Sequence, residues 1–182
     1  MQPAARIVSE AELSDAELVK AMRAGSTTAF AQLYERHSRG LLALSYRMLQ
    51  SQQDAEDVVH DVFVALPEAL RNYDERGALA AWLKKIAARV ALARLRATDR
   101  NAAALSDSLH AHSTDLDSTL SLEAAVRALS PGLRAVLVLK EIEGYSHAEV
   151  AKLLDISIGA SEVRLHRALR ALRDSLHRGE RT

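Results

Sequence analysis

An all-α fold, two small helical domains joined by a flexible linker, is what this sequence predicts, and three observations carry the prediction. Glycine (7) and proline (3) are scarce in 182 residues, and the 48% hydrophobic fraction is built with only 4% aromatic residues. Alanine, leucine and valine must therefore fill the cores, and alanine and leucine favour helices. Apolar residues recur every three or four positions along most of the chain, the period of a one-sided helix. That rhythm fades between Thr98 and Ser121, where DRNAAALSDSLHAHSTDLDSTLS is rich in Ala, Ser, Asp and His and reads as a linker. No run alternates as a strand would, and no internal repeat is visible.

The elements follow in order. Residues 1–14 form a tail, and Ser14 is placed to cap a helix over Asp15–Arg23. A long helix runs from Thr27 to about Leu49, with Phe30, Leu33, Tyr34, Leu41, Leu44 and Met48 on one side. The next, from Asp54 to about Leu70, sets Val58, Val59, Val62, Phe63 and Leu66 against Asp54, Asp57 and Asp61. Carboxylates in its first turn suit the positive end of the helix dipole. After a polar connection (72–77) a helix covers about Leu79–Arg96, which closes a first domain over 15–97. The linker occupies 98–121. A second domain over 122–177 begins with a short helix, Leu122–Leu129, ended by Ser130-Pro131-Gly132. A helix from Leu133 to about Glu143 and two more beyond Gly144 complete it, and 178–182 are a C-terminal tail.

Bulk properties exclude several classes of function. With no cysteine, disulfides and thiolate metal sites are out, which suits a reducing cytoplasm. The N-terminus lacks the apolar stretch of a signal peptide, and no apolar run reaches membrane-spanning length, so a soluble, cytoplasmic protein without membrane insertion is expected. The 24 basic and 24 acidic residues cancel overall but not locally. From Lys84 to Arg100 six basic residues face one acid, and from Arg164 to Arg173 there are four arginines and no acid. Asp54, Glu56, Asp57 and Asp61 lie together with no base between them. Two basic stripes and one acidic stripe suit nucleic acid and a protein partner separately; each alone is what a solvated helix face also looks like.

The segment GYSHAEVAKLLDISIGASEVRLHRALRALRDSL has the layout of a helix-turn-helix. Ser146 caps a short helix whose Val150, Ala151 and Leu154 face inward, and Asp155, Ile156 and Ser157 make the turn. Asp tolerates the left-handed conformation that such a turn requires. In the second helix Leu165, Leu169, Leu172 and Leu176 are spaced as a buried stripe. Arg164, Arg167, Arg170 and Arg173 lie off it, where they reach phosphates or base edges in a major groove.

The run from Ala128 to Leu172 resembles region 4 of bacterial extracytoplasmic-function (ECF) sigma factors. The likeness rests on Arg134, Val136, Leu137, Leu139, Gly144, Ser146, Glu149, Ala151, Gly159, Arg164, Leu165, His166, Arg167 and Ala168. The resemblance implies a reader of the −35 element built from Ser146, Ser161, Glu162, Arg164, Leu165, His166, Arg167 and Arg170. Ala160, Ser161 and Glu162 stand where the family usually has Thr, Val and Lys. Glu162 either repels phosphate or accepts a hydrogen bond from cytosine N4.

Upstream, DAEDVVHDVFVALPEAL is similar to region 2.2 of the same family, and ELVKAMRAGSTTAFAQLYERH to region 2.1. These imply that Asp54, Glu56, Asp57, Asp61 and Phe63 contact, or support contact with, the β′ clamp of core RNA polymerase. The segment ERGALAAWLKKIAARVALARLRATDR resembles regions 2.3 and 2.4, which recognise and melt the −10 element. Melting needs a basic track for phosphates, a stacking surface and a pocket for an extruded base. Lys84, Lys85, Arg89 and Arg96 supply the track. Trp82 is either the stacking platform or a core anchor. Arg76 and Leu79 fall in the loop (about 74–81) that forms the family's base pocket. Leu79, Arg89 and Ala93 stand where Phe, Asn and Asp are frequent.

The resemblance implies a sigma factor that binds the β′ clamp and β subunits of core polymerase and directs promoter-specific initiation. It also implies promoter DNA and an anti-sigma factor as partners. A conventional transcription regulator would leave the acidic helix and the Trp82 segment unexplained. An enzyme is disfavoured. Glu56 and His60 sit one turn apart with Asp57 and Asp61 nearby, but no second set of metal ligands and no phosphate-cradling Gly loop accompany them. Neither metal nor cofactor is expected. Roughly 20 linker residues span about 25 Å as a random coil, enough to bridge the −10 and −35 readers, and they also let the two domains fold together in the free protein.

Overall fold

The computed structural model describes residues 13–74, 78–105 and 122–179, with side chains for all of these but 99–105 and 178–179. Among them are eight helices: α1 (Asp15–Arg23), α2 (Thr27–Leu49), α3 (Gln52–Ala69), α4 (Leu79–Leu105), α5 (Leu122–Ala128), α6 (Pro131–Leu137), α7 (His147–Leu154) and α8 (Ile158–Gly179). A 3-10 turn, Leu70–Asn72, follows α3, and a π turn, Val138–Ile142, follows α6.

Local chemistry accounts for most helix starts. Ser14 caps α1 reciprocally: its hydroxyl accepts from the Glu17 N–H, and the Glu17 carboxylate accepts from the Ser14 N–H. Ser26 and Ser51 cap α2 and α3 in the simpler way, each accepting from the N–H three residues on. Pro131 begins α6 rather than merely ending α5, since at the first helical position its missing N–H has no partner to lose. Helix α4 continues to Leu105, past the point where its apolar rhythm fades. The remainder of the stretch read as linker, 106–121, lies outside the described residues.

Helices α1 to α4 enclose the first core. Leu18, Leu33, Leu44, Met48, Val58, Leu66 and Leu83 are wholly buried within it. Phe63 sits at its rim, edge-on to Phe30 (6.0 Å between centroids) and tilted against Tyr34 at 4.8 Å. In the second domain, α5, α6 and α8 share a small cluster of Ala125, Leu129, Leu137, Ala168 and Leu172.

The larger core does not stop at the domain boundary. Ala135, Val136, Val138, Leu139, Val150 and Leu153 of the second domain belong to the same cluster as the α1–α4 residues. Helix α6 lies against α2, and α7 against α4. The buried guanidinium of Arg134 ties the seam. It donates to the Met48 carbonyl at the end of α2 (3.0 Å) and to the carbonyls of Arg127 (3.2 Å) and Leu129 (3.0 Å) in its own domain. Burial pushes its pKa below the ordinary arginine value, but three carbonyl acceptors satisfy its N–H groups.

Candidate nucleic-acid and protein interfaces

Helix α3 presents its acids as the sequence indicates. Ala55, Val58, Val59, Val62 and Phe63 turn inward, while Asp54, Glu56, Asp57 and Asp61 are exposed. Phe63 is 2% exposed, so it supports this face from beneath and does not contact a partner itself. The acids are not left alone. Arg94 of α4 reaches Asp61 at 2.6 Å, Asp57 at 3.2 Å and Asp54 at 4.0 Å. The hydrogen bond to Asp61, the largest influence, raises the Arg94 pKa further. Arg94 belongs to the basic stripe of the sequence; its place opposite three acids follows from helix packing, which spacing along one helix does not reveal.

The basic track of α4 is divided. Arg89 is exposed. Lys84 donates to Glu143 at 2.7 Å, Lys85 lies close enough to stabilise the Glu149 carboxylate, and Arg96 donates to the Leu154 carbonyl at 2.9 Å. Both acceptors, Glu143 and the Leu154 carbonyl, and the Glu149 carboxylate belong to the second domain. Trp82 is half-buried and tilted against Tyr73, 4.7 Å between centroids, at the edge of the core. Leu79 corrects an expectation: it is 3% exposed, packed in the first core, and offers no side chain to an extruded base. Helical periodicity from Leu79 through Leu83 carries it inward. Arg76 lies outside the described residues. Ala78, Ala80 and Ala81 line one wall of a cleft of about 420 Å³ whose other wall is Glu143, Tyr145 and Glu149.

The helix-turn-helix is built as its residues dictate. Ser146 and Glu149 form a reciprocal cap on α7, with the Ser146 N–H and hydroxyl donating to Glu149 at 2.9 and 2.7 Å. Those bonds hold the Glu149 carboxyl below its ordinary pKa. Asp155 takes the left-handed conformation (φ 56°) that ends α7. The stripe on α8 is not the one that leucines mark. Leu169 and Leu176 are exposed at 44% and 37%; Ser161, Ala168 and Leu172 are buried, and Leu165 is half-buried. Positions 161, 165, 168 and 172 keep the spacing of a helix face, with a serine and an alanine where bulk would hold α8 away from its neighbours.

That shift re-sorts the expected DNA contacts. Ser161 is completely buried, its hydroxyl 2.9 Å from Nδ1 of His147, so it braces α8 against α7 and cannot face a base. The Ser146 hydroxyl is committed to its cap. Arg164 is half-buried and leans over Gly132, at the start of α6. Glu162, His166, Arg167 and Arg170 are exposed. Among the described residues no group of three or more His, Cys, Asp or Glu is placed to hold a metal, and no helix is long and apolar enough to cross a membrane.

Comparison with known proteins accounts for both halves of this arrangement. Residues 33–101 match the model of sigma-70 region 2, and residues 119–172 match that of sigma-70 region 4. The RNA polymerase sigma factor CarQ of Myxococcus xanthus is 32% identical over 161 residues, covering 85% of this chain and 92% of that protein. The chain belongs to the ECF sigma factors.

This sigma factor is also similar to the ECF sigma factor SigM of Mycobacterium tuberculosis, 29% identical over 160 residues, which span 86% of this chain and 82% of that protein. Among solved structures it resembles CnrH in complex with the cytosolic domain of CnrY: 30% identity, TM-score 0.57, with 90% of this chain and 97% of that one covered. A fold likeness of TM-score 0.59 at 24% identity links it to RpoE of Bartonella quintana, covering 81% and 96% of the two chains. As a sigma factor it directs promoter-specific transcription initiation.

Proposed function

We propose that the sigma factor divides its work among three surfaces. The exposed acids of α3 (Asp54, Glu56, Asp57 and Asp61), supported by Phe63, dock on the β′ clamp of core polymerase. Trp82, Lys84, Lys85, Arg89 and Arg96 of α4 carry the single strand released at the −10 element. Glu162, His166, Arg167 and Arg170 of α8 read the −35 element, with Arg164 and Leu165 at the edge of that surface and the second domain held near the β subunit. The protein catalyses nothing, needs no cofactor and works in the cytoplasm. A separate anti-sigma protein holds it in reserve, a reading supported by CnrH, which was solved with a second protein bound.

One observation carries this reading best. An exposed acidic helix and a helix-turn-helix occur in one chain, in the order of regions 2 and 4, and on different surfaces. A free-standing DNA-binding regulator has no use for the first. Run-off transcription with core polymerase, on the DNA upstream of the protein's own operon, tests it. A transcript that requires this chain is expected; duplex binding without polymerase, and no transcript with it, would favour the conventional regulator.

A further inference from the structure

Helix α8 carries two residues on its outer side that the fold itself does not ask for. Ser161, Leu165, Ala168 and Leu172 form its inward row. At about 100° per residue, Gly159, Val163, His166 and Arg170 fall in a row on the opposite side, and all four are exposed. Val163 leaves 50% of its surface open and belongs to neither core. A β-branched side chain loses rotamer freedom on a helix, and valine is a weaker helix former than alanine or leucine. Glycine is weaker still. The Gly159 backbone is helical and not left-handed, and a Cβ there would meet no atom within 4 Å. Neither strain nor crowding within this chain calls for glycine at that position.

These two choices against the helix lie one turn apart on one row, where the proposed −35 reader faces outward. Residues that break a local rule without a packing gain are expected at functional sites. Together they leave a shallow apolar step at the start of α8: glycine lets a surface from outside come close, and valine offers it methyl groups. The surroundings identify the partner. His166 and Arg170 continue the row and Arg167 flanks it, all exposed. Such cations draw phosphates to the sides of the valine, whereas burying them under an apolar protein surface would be costly. In a major groove the apolar group on a base edge is the C5 methyl of thymine.

We propose that Val163 reads a thymine of the −35 element by packing against its C5 methyl group, across the open turn at Gly159. The contact uses no hydrogen bond and no charge. It adds an apolar base determinant to a surface otherwise made of polar and charged side chains. This inference rests on the assignment of α8 to the −35 element.

Deoxyuridine in place of thymidine removes that methyl group and leaves every hydrogen bond of the pair intact, so the group itself can be tested. The probe is a fluorescein-labelled duplex carrying the −35 element of the promoter identified by run-off transcription, and the binder is holoenzyme made with the full chain. Replacing the thymidines of the element one at a time should weaken wild-type binding about fourfold at one position, the worth of one buried methyl group. In Val163→Ala the new side chain suits the helix better than valine does, so a loss of binding is not a loss of fold. That variant should bind the thymidine duplex more weakly by a like factor and be indifferent to deoxyuridine at the same position. Val163→Ile, which keeps the apolar surface, should stay sensitive to it. No penalty from deoxyuridine at any position, or a penalty of the same size in the alanine variant, overturns the contact. Scrambling the whole −35 element tests the assignment beneath it. If wild-type holoenzyme then loses binding, α8 stands as the −35 reader whatever Val163 does; if it loses none, that assignment falls and the thymine contact with it.

Discussion

Glu162 and Ser161 are neighbours in sequence with opposite environments, and each makes a test. Ser161 is buried against His147 and Glu162 is exposed on the first turns of α8, the part of a recognition helix that enters the groove. A carboxylate so near phosphates is costly unless it discriminates, and cytosine N4 is the donor it suits. Glu162→Lys should therefore lower transcription from the natural promoter and change the preferred base at one −35 position. One such contact is worth about 1–3 kcal/mol, and transcription across a set of −35 variants measures it. Equal strengthening at every variant would mean that Glu162 only repels the backbone. Ser161→Ala should instead cost about 1 kcal/mol of stability, the loss of one buried hydrogen bond, with −35 preference unchanged. Chemical unfolding and the same promoter set read both effects. The family resemblance implies Ser161 among the DNA contacts; a serine gives no sign of which side of a helix is inward when alanine, not leucine, marks that side.

The serine caps and the bounds of α1 and α2 are the most legible elements. Ser14 and Ser146 read as N-caps, and both cap; the Glu three residues after each also accepts from the cap residue's N–H, which the sequence reading did not include. Helix α2 has the bounds read from its apolar period. What periodicity could not deliver was the partner of each polar face. The acids of α3 are opposed by Arg94 of α4, so the clamp-binding face proposed here is partly neutralised within the molecule. Exposed ion pairs are individually weak, about 0–1 kcal/mol, and a polymerase surface with several cations can displace this one. Reversing Asp57 and Asp61 together to lysine should abolish core binding while helix content by circular dichroism stays near the wild-type level. A double variant that still competes for core polymerase as well as the wild type would reduce the acidic stripe to a solvated face. On α4, Lys85→Ala with Arg89→Ala should weaken strand opening, read by permanganate reactivity of unpaired thymines, more than it weakens core binding. Equal loss of both would make that helix structural.

The two-domain architecture is visible in the sequence as the fading of helical rhythm near Thr98, whereas the seam between the domains is not. It is made by residues that local pattern assigns to other roles: Arg134 within an apolar helix, Glu143 before a glycine, and Lys84 in a basic stripe. Only the folded chain brings Arg134 to the Met48 carbonyl and Glu143 to Lys84. Arg134→Met should cost about 3 kcal/mol, since it strands three carbonyls that a charged donor satisfies, and should loosen the seam along with the second domain. Urea unfolding followed by probes in each domain measures both effects; an unchanged midpoint would contradict the tie. The central claim is broader than any of these contacts. It holds that one chain joins a polymerase-docking domain to two promoter readers. Run-off transcription by purified core polymerase with and without this protein, on DNA upstream of its own operon, addresses that claim directly. A discrete transcript that appears only when the protein is added, and disappears when Asp57 and Asp61 are reversed, is the predicted result. The same transcript with core polymerase alone, or none under conditions where the protein binds that DNA by itself, would contradict it.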